Sequence, residues 1–208
     1  MSTNAAIIYV VDDDVSICRA LGLLLKSNGF RVETFTNAQG FLSFKHPKLQ
    51  SCLILDIRLP NINGFALQAL MAQHGIITPI IFITGYGDIP MSVKAMQAGA
   101  IDFLPKPFTE KKILHAITLA LSKSKVLNKE QTEVLKIKQR MNTLSPRELE
   151  VFHFVAQGMM NKNIASKRGT SLQTIKVHRG RVMQKMQAKT ATELIDFAKK
   201  VGLTSSQV

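Results

Sequence analysis

IIYVV (residues 7–11) runs straight into Asp12 and Asp13. The arrangement recurs downstream. LIL (53–55) runs into Asp56, IIFI (80–83) into Thr84, and IDFL (101–104) through Pro105 into Lys106. Short apolar runs, unbroken in the first three and interrupted only by Asp102 in the fourth, separated by stretches of helical periodicity, predict strands of a parallel sheet covered on both faces. RVETF (31–35) alternates and supplies a further strand. Open sheets of this kind form their sites just beyond the carboxyl ends of the strands. One pocket holding three carboxylates, a hydroxyl and an ammonium is therefore expected. Such a set suits magnesium and a phosphoryl group.

Working outward, 208 residues leave room for one domain of ordinary size and a smaller one. Helices are expected near 15–28, 39–45, 63–74, 90–98 and from 109 onward, so the first part is an α/β doubly wound five-stranded parallel sheet. Pro107 and Pro146 bracket a long interval without Gly or Pro. Within it Ile113, Ala120, Leu127, Val134 and Met141 recur every seven residues, an apolar stripe. The other core positions of that heptad hold Ser124, Gln131 and Lys138, which argues for a charged helical linker rather than a sustained coiled coil.

The C-terminal part reads as four helices. Ser145-Pro146-Arg147-Glu148 is a capping box with Pro at the first helical position, and Gly158 ends that helix. A second helix spans about 161–168 and stops at Gly169; Thr170 or Ser171 caps a third, reaching about Gln187; Thr190-Ala-Thr-Glu193, another capping box, opens a fourth. Two helices joined by a short Gly-containing turn, the second one basic, form the helix-turn-helix pattern. The division is 1–122 for the α/β domain, 123–142 for the helical linker and 143–208 for the small all-α domain.

Charge follows that division. Residues 1–122 carry 10 Lys/Arg against 8 Asp/Glu, residues 123–142 carry 6 against 2, and residues 143–208 carry 11 against 4. A small domain that basic suits a polyanion, although a merely solvated basic face has the same charge. Cys18 and Cys52 lack CxxC spacing and read as reduced core residues. No run approaches the length of a membrane span, and the N-terminus lacks a basic region followed by an apolar one. A cytoplasmic protein with no membrane partner is expected.

Phosphoryl transfer onto a carboxylate needs a nucleophile, a divalent cation and fixed donors for the remaining charge. Asp56 follows the central strand and is the candidate nucleophile. Asp12 and Asp13 offer hard oxygen ligands for Mg²⁺, or Mn²⁺ in its place, with Asp56 shared. Lys106 is placed to pair with Asp56, and the Thr84 hydroxyl to donate to a phosphoryl oxygen. Each signal alone is weak, since Asp-Asp after a strand is often a helix cap. Their occurrence at four strand ends is what carries weight.

VVDDD (10–14), LILDIRLPNINGF (53–65), IFITGYGD (81–88) and AGAIDFLPKPF (98–108) resemble the receiver domain of two-component response regulators, a flavodoxin-like fold. The resemblance implies Asp56 as phospho-acceptor and Asp12 and Asp13 as metal ligands, joined by the backbone carbonyl of Arg58. It makes Thr84 and Lys106 phosphoryl-sensing residues and Phe103 the aromatic switch. A cis peptide at Lys106–Pro107 is implied too. Asp14 is left as the cap of the first helix. Phosphorylation adds about −1.5 to −2 charge. Thr84 then moves toward it, Phe103 fills the vacated space, and a surface with Met91, Lys94, Ala95 and Phe103 pairs two copies. Arg58 and Tyr86 flank the phosphoryl group, and the bulk of Tyr86 implies slow to moderate self-dephosphorylation.

On a helical wheel of 171–187, Ile175, Val182 and Met186 point inward with Leu172 and Met183 beside them. Gln173, Val177, Gly180 and Gln184 lie opposite, flanked by Lys176 and Arg181, and form the candidate groove-facing surface. Arg179 lies nearer the core, and His178 is expected to pack locally. Lys162 and Thr174 are candidate phosphate contacts. LSPRELEVF (144–152), GMMNKNIA (158–165) and TIKVHRGRVMQKM (174–186) resemble the LuxR/NarL class of helix-turn-helix domains, and IPMSVKAMQAGA with KVHRG points to the FixJ-like branch. Arg168 and Thr170 depart from it, standing where relatives carry apolar residues on either side of the Gly; a looser turn or added phosphate contacts are expected there.

The resemblance implies a transcription regulator phosphorylated by a sensor histidine kinase, dimeric when phosphorylated, and bound to double-stranded DNA. Activation through RNA polymerase is the expected output. An Asp-nucleophile phosphatase would need a general-acid Asp two residues after the nucleophile, where this chain has Arg58. A vestigial receiver controlled by protein contact alone would not need the full set of Asp12, Asp13, Asp56, Thr84 and Lys106.

Overall fold

The computed structural model describes residues 6–85 and 89–203. Five strands, β1 (Ile7–Val11), β2 (Arg31–Phe35), β3 (Ser51–Asp56), β4 (Ile80–Thr84) and β5 (Asp102–Pro105), form one sheet in the order β2-β1-β3-β4-β5. Every pairing is parallel. Helices α1 (Val15–Ser27), α2 (Ala38–Ser43), α3 (Gly64–Gln73), α4 (Ile89–Gln97) and α5 (Glu110–Met141) alternate with them.

The period of two along each strand builds two cores. Ile8, Val10, Cys52, Ile54, Ile81 and Ile83 face α1 and α5, while Ile7, Tyr9, Val11, Leu53, Leu55 and Phe82 face α2, α3 and α4. All residues of β1, β3 and β4 are buried, so an apolar run ends where the sheet ends. Burying one such side chain stabilises by roughly 1.5–3 kcal/mol, and no charge is tolerated mid-strand without a partner. Polar groups therefore collect at the strand tips. The crevice lies between β1 and β3, where the winding reverses.

Local chemistry sets the helix starts. Asp14 caps α1, its Oδ1 accepting from Ser16 N at 2.7 Å. Asn63 caps α3 by accepting from Ala66 N at 2.8 Å. Helix α2 stops earlier than the sequence predicts, at Ser43, because Phe44 turns extended and joins an edge-on aromatic cluster with Tyr9 and His46. Both cysteines are free and buried, and burial pushes both thiols up.

The chain forms two compact units, Met1–Lys129 and Glu130–Val208. Helix α5 contributes Ile113, Ala116, Ile117 and Ala120 to the first core and Ile137 to the core of the second unit. The polar heptad position Ser124 is buried; its Oγ accepts from Ser51 N at 3.0 Å, and Asn128 Nδ2 donates to Leu49 O at 3.0 Å.

The second unit contains α6 (Pro146–Ala156), α7 (Asn161–Arg168), α8 (Leu172–Met186) and α9 (Ala191–Lys200). The capping box at Ser145 and Glu148 is closed in both directions. At the start of α9 it is not: Thr190 caps Glu193 N, but Glu193 accepts from Lys189 N instead of from the cap residue. Of the two expectations for the α7–α8 turn, the looser turn is not found, since the turn is closed by backbone and cap hydrogen bonds. Gly169 takes the left-handed conformation (φ 58°), Thr170 N closes onto Ala165 O at 3.1 Å, and Ser171 caps α8.

Glu148 is almost wholly buried, and its Oε2 accepts from Lys185 Nζ at 2.6 Å and from Ser145 N at 2.8 Å. The Lys185 ammonium, then the Ser145 N–H, hold its carboxyl down to about 2. A lowered folded-state value stabilises the fold fully above the ordinary value of 4.5, and that contribution fades as pH falls toward about 2. Carboxyl NMR titration of Glu148 is expected to give the low midpoint, and Lys185→Met to move it upward.

Candidate functional site

Asp12 and Asp56 are buried and Asp13 exposed, and each offers an oxygen within 4.8 Å of the others. Lys106 sits 2.6 Å from Asp12 Oδ2 and 3.5 Å from Asp56 Oδ2. The sequence reading pairs Lys106 with Asp56; the closer partner is Asp12. Geometry explains this: Asp12 Oδ1 is fixed by Asp14 N at 3.0 Å, which leaves Oδ2 pointing at the ammonium.

Asp56 is left short of partners. Its Oδ1 is buried and accepts no hydrogen bond among the described residues. Burial pushes its carboxyl up, Lys106 and the Arg58 backbone N–H pull it down, and Asp12 pushes it up again. Three carboxylates against one ammonium leave two negative charges, beside a buried carboxylate oxygen with no partner among the described residues. Hard oxygens from two strand tips, with one ligand open to water, fit a hydrated divalent cation.

The other residues that the sequence singles out lie at the neighbouring strand ends. Thr84, fully buried at the end of β4, accepts from Lys106 N at 2.7 Å through its carbonyl, so the two residues are tied through the backbone. Phe103 is half-buried against the α4 side of the sheet. The Lys106–Pro107 peptide is cis. Arg58 bridges Asn63 in the loop after β3. Tyr86 lies outside the described residues.

Sequence reasoning missed Gly64. A Cβ there would sit 2.8 Å from Asp56 O and 3.1 Å from Ile57 Cα and Phe82 Cε1. Only glycine lets α3 start against the strand tip that carries Asp56. Glycine directly after a capping Asn is the signal that was available.

The surface of α4 also differs from expectation. Ala95 is fully buried, and Lys94 lies over the Phe65 ring at 4.9 Å. The helix exposes Ile89, Val93 and Met96, spaced along one face. A second apolar surface, a groove of about 500 Å³ between Ile17, Ala20, Leu24, Pro107 and Phe108, borders Lys106.

In the second unit, Ile175, Val182 and Met186 are buried as the wheel places them, but Leu172 is exposed. Thr174, Lys176, Val177, Gly180 and Arg181 are exposed on α8 and Lys162 on α7. Arg179 is held by Asn161 Oδ1 at 2.7 Å, and Arg168 by Glu150 Oε1 at 2.8 Å. His178 is partly buried, its Nδ1 without a partner among the described residues. Among the described residues no helix is long and apolar enough to cross a membrane.

The model of the response regulator receiver domain matches residues 8–118, and that of the luxR family of bacterial regulatory proteins matches residues 142–198. Nodulation protein W of Bradyrhizobium diazoefficiens is 42% identical over 205 residues, 99% of this chain and 90% of its own length. Transcriptional regulatory protein FixJ of the same species is 37% identical over 201 residues, 97% of this chain and 98% of its own. Among solved structures, response regulator StyR is similar at TM-score 0.73 and 40% identity, covering 94% of this chain and 99% of that one.

Proposed function

Because the chain belongs to the FixJ-like response regulators of two-component systems, with a receiver domain and a LuxR-type DNA-binding domain, we propose that Asp56 is its phospho-acceptor and that phosphorylation controls its binding to DNA. The observation that carries this reading is the Asp56 carboxylate, nearly buried at a strand tip, with one oxygen unpartnered in a pocket two charges negative. The receiver is residues 1–122, the helical linker 123–142 and the DNA-binding domain 143–208.

A sensor histidine kinase is the donor. Its phosphohistidine meets Asp56, the N–P bond breaks as an Asp56 oxygen bonds to phosphorus, and an acyl phosphate results. The groove between Ile17, Leu24 and Phe108 suits the kinase surface, since it is apolar and borders Lys106 beside the acceptor. Asp12, Asp13, Asp56 and the Arg58 carbonyl would hold Mg²⁺ or Mn²⁺, which would supply neutralisation of phosphoryl oxygens. Lys106 then has a choice of partners. The phosphoryl group draws its ammonium from Asp12, the Thr84 hydroxyl turns to the same oxygens, and Phe103 follows Thr84.

Ile89, Val93 and Met96 give α4 an apolar face, and two copies pair through it. Paired C-terminal domains engage two half-sites in double-stranded DNA, with Lys162 and Thr174 on phosphates and Lys176, Val177, Gly180 and Arg181 toward the bases. The protein works in the cytoplasm, recruits RNA polymerase as an activator, and performs no chemistry beyond its own phosphotransfer and dephosphorylation.

Sedimentation and DNA binding, with and without beryllofluoride and Mg²⁺, test this. A shift from monomer to dimer with a gain in DNA affinity is expected, and Val93→Glu should abolish the dimer. No gain, or an unaltered gain in Asp56→Ala, would overturn the mechanism.

A further inference from the structure

In the second unit a cleft of about 350 Å³ lies between α6 and the α7–α8 turn, walled by Arg147, Glu150, Arg168, Thr170, Thr174 and His178. Two guanidiniums converge there on one carboxylate. Arg168 Nη1 is 2.8 Å from Glu150 Oε1, whereas Arg147 Nη1 is 3.8 Å from Glu150 Oε2 and its side chain is 70% exposed. The cleft thus carries a surplus positive charge, with one arginine fixed and the other free to swing. As a purely structural device the pair accomplishes little, because partly exposed ion pairs contribute little to stability. Arg168 and Thr170 give its wall a guanidinium and a hydroxyl.

Its position indicates an occupant. The cleft opens at the amino end of α8, whose Lys176, Val177, Gly180 and Arg181 are exposed. A helix laid in the major groove brings its amino end against a flanking backbone phosphate. Arginine forks match phosphate oxygens in pairs, and hydroxyls satisfy the rest. Thr174 Oγ1 already lies 2.8 Å from Ser171 Oγ, so it is oriented at the rim by the helix cap.

We propose that this cleft takes a phosphodiester of the DNA backbone, with Arg147 and Arg168 on its non-bridging oxygens and the Thr170 and Thr174 hydroxyls completing the shell. The site rests on the DNA-binding reading of α8. It makes the turn a part of the interface rather than a connector. Inorganic phosphate would meet the same donors, so the test must separate the two sources.

The full chain, activated with beryllofluoride and Mg²⁺, is titrated with salt on a duplex selected by the wild type. Each phosphate contact contributes about 0.9 to the slope of log affinity against log salt. Arg168→Gln and Arg168→Leu should each lower the slope by about one unit; the leucine variant guards against misfolding, since it fills the cleft. Lys199→Gln, on the exposed side of α9, should leave the slope unchanged. A parallel melt in inorganic phosphate against chloride at matched ionic strength reports free anion binding. An unchanged slope in both Arg168 variants overturns the site, whether or not inorganic phosphate binds. Failure of the wild type to bind any duplex removes the DNA reading and this site together.

Discussion

Asp56→Asn should abolish phosphoryl uptake from a small phosphodonor and, in the same molecule, raise the melting temperature of the receiver. The two effects share one cause. The wild-type carboxylate is nearly buried, lies beside Asp12 and leaves Oδ1 unpartnered, and burial pushes its carboxyl up. A charge in that position costs stability that a neutral amide of the same shape does not. The gain is on the order of 1 kcal/mol, which is a few degrees for a domain of this size. Lys106 keeps its closer partner, Asp12, so the substitution strands no cation. Mg²⁺ should stabilise the wild type more than the variant, because the cation relieves the same repulsion. Calorimetry with radiolabelled phosphodonor uptake checks both halves. A variant that still takes up phosphoryl, or melts lower, contradicts the assignment.

Gly64→Ala is expected to be the most damaging single methyl in the receiver. Its Cβ would press to 2.8 Å on Asp56 O, a backbone atom that cannot rotate away. Nor can α3 simply retreat, because Gly64 N donates to Ile57 O at 2.8 Å and locks the helix start to the strand tip. Overpacking of this kind costs about 1–3 kcal/mol. The displaced loop includes Arg58, so the affinity for Mg²⁺ should fall with the stability. Urea unfolding and a Mg²⁺ titration give the two readouts. If both match the wild type, the close approach has no functional weight.

How far these properties were legible in the sequence depended on whether the signal was local. β1 is found where the apolar run places it, because burial on two faces leaves its mark in every residue, and β2, an edge strand only partly covered, is found where the alternation places it. The site residues lie at strand tips because the ends of those runs mark where polar groups leave the apolar core and can find polar partners. Pairings were harder. Nothing along the chain says that Lys106 sits closer to Asp12 than to Asp56, since that depends on Asp14 N fixing the other oxygen of Asp12. Leu172 looked like a core residue by periodicity, but as the first residue of α8 it has no opposing helix to cover it. Arg168 looked disruptive in a turn, and Glu150, eighteen residues earlier, is what holds it.

The bond between Ser51 and Ser124 has a consequence for how the linker helix can be followed in solution. Ser51 is the first residue of β3, and its amide points out of the sheet to the Ser124 hydroxyl on α5. That N–H is shielded from solvent only while α5 keeps its helical turns past residue 124. Fraying of the helix back toward the sheet would release one proton at the far end of the strand that carries Asp56, and local opening of this sort governs how fast an amide trades its hydrogen with water. The deuteration rate of a single strand residue thus serves as a gauge of helix length in the segment that joins the two domains.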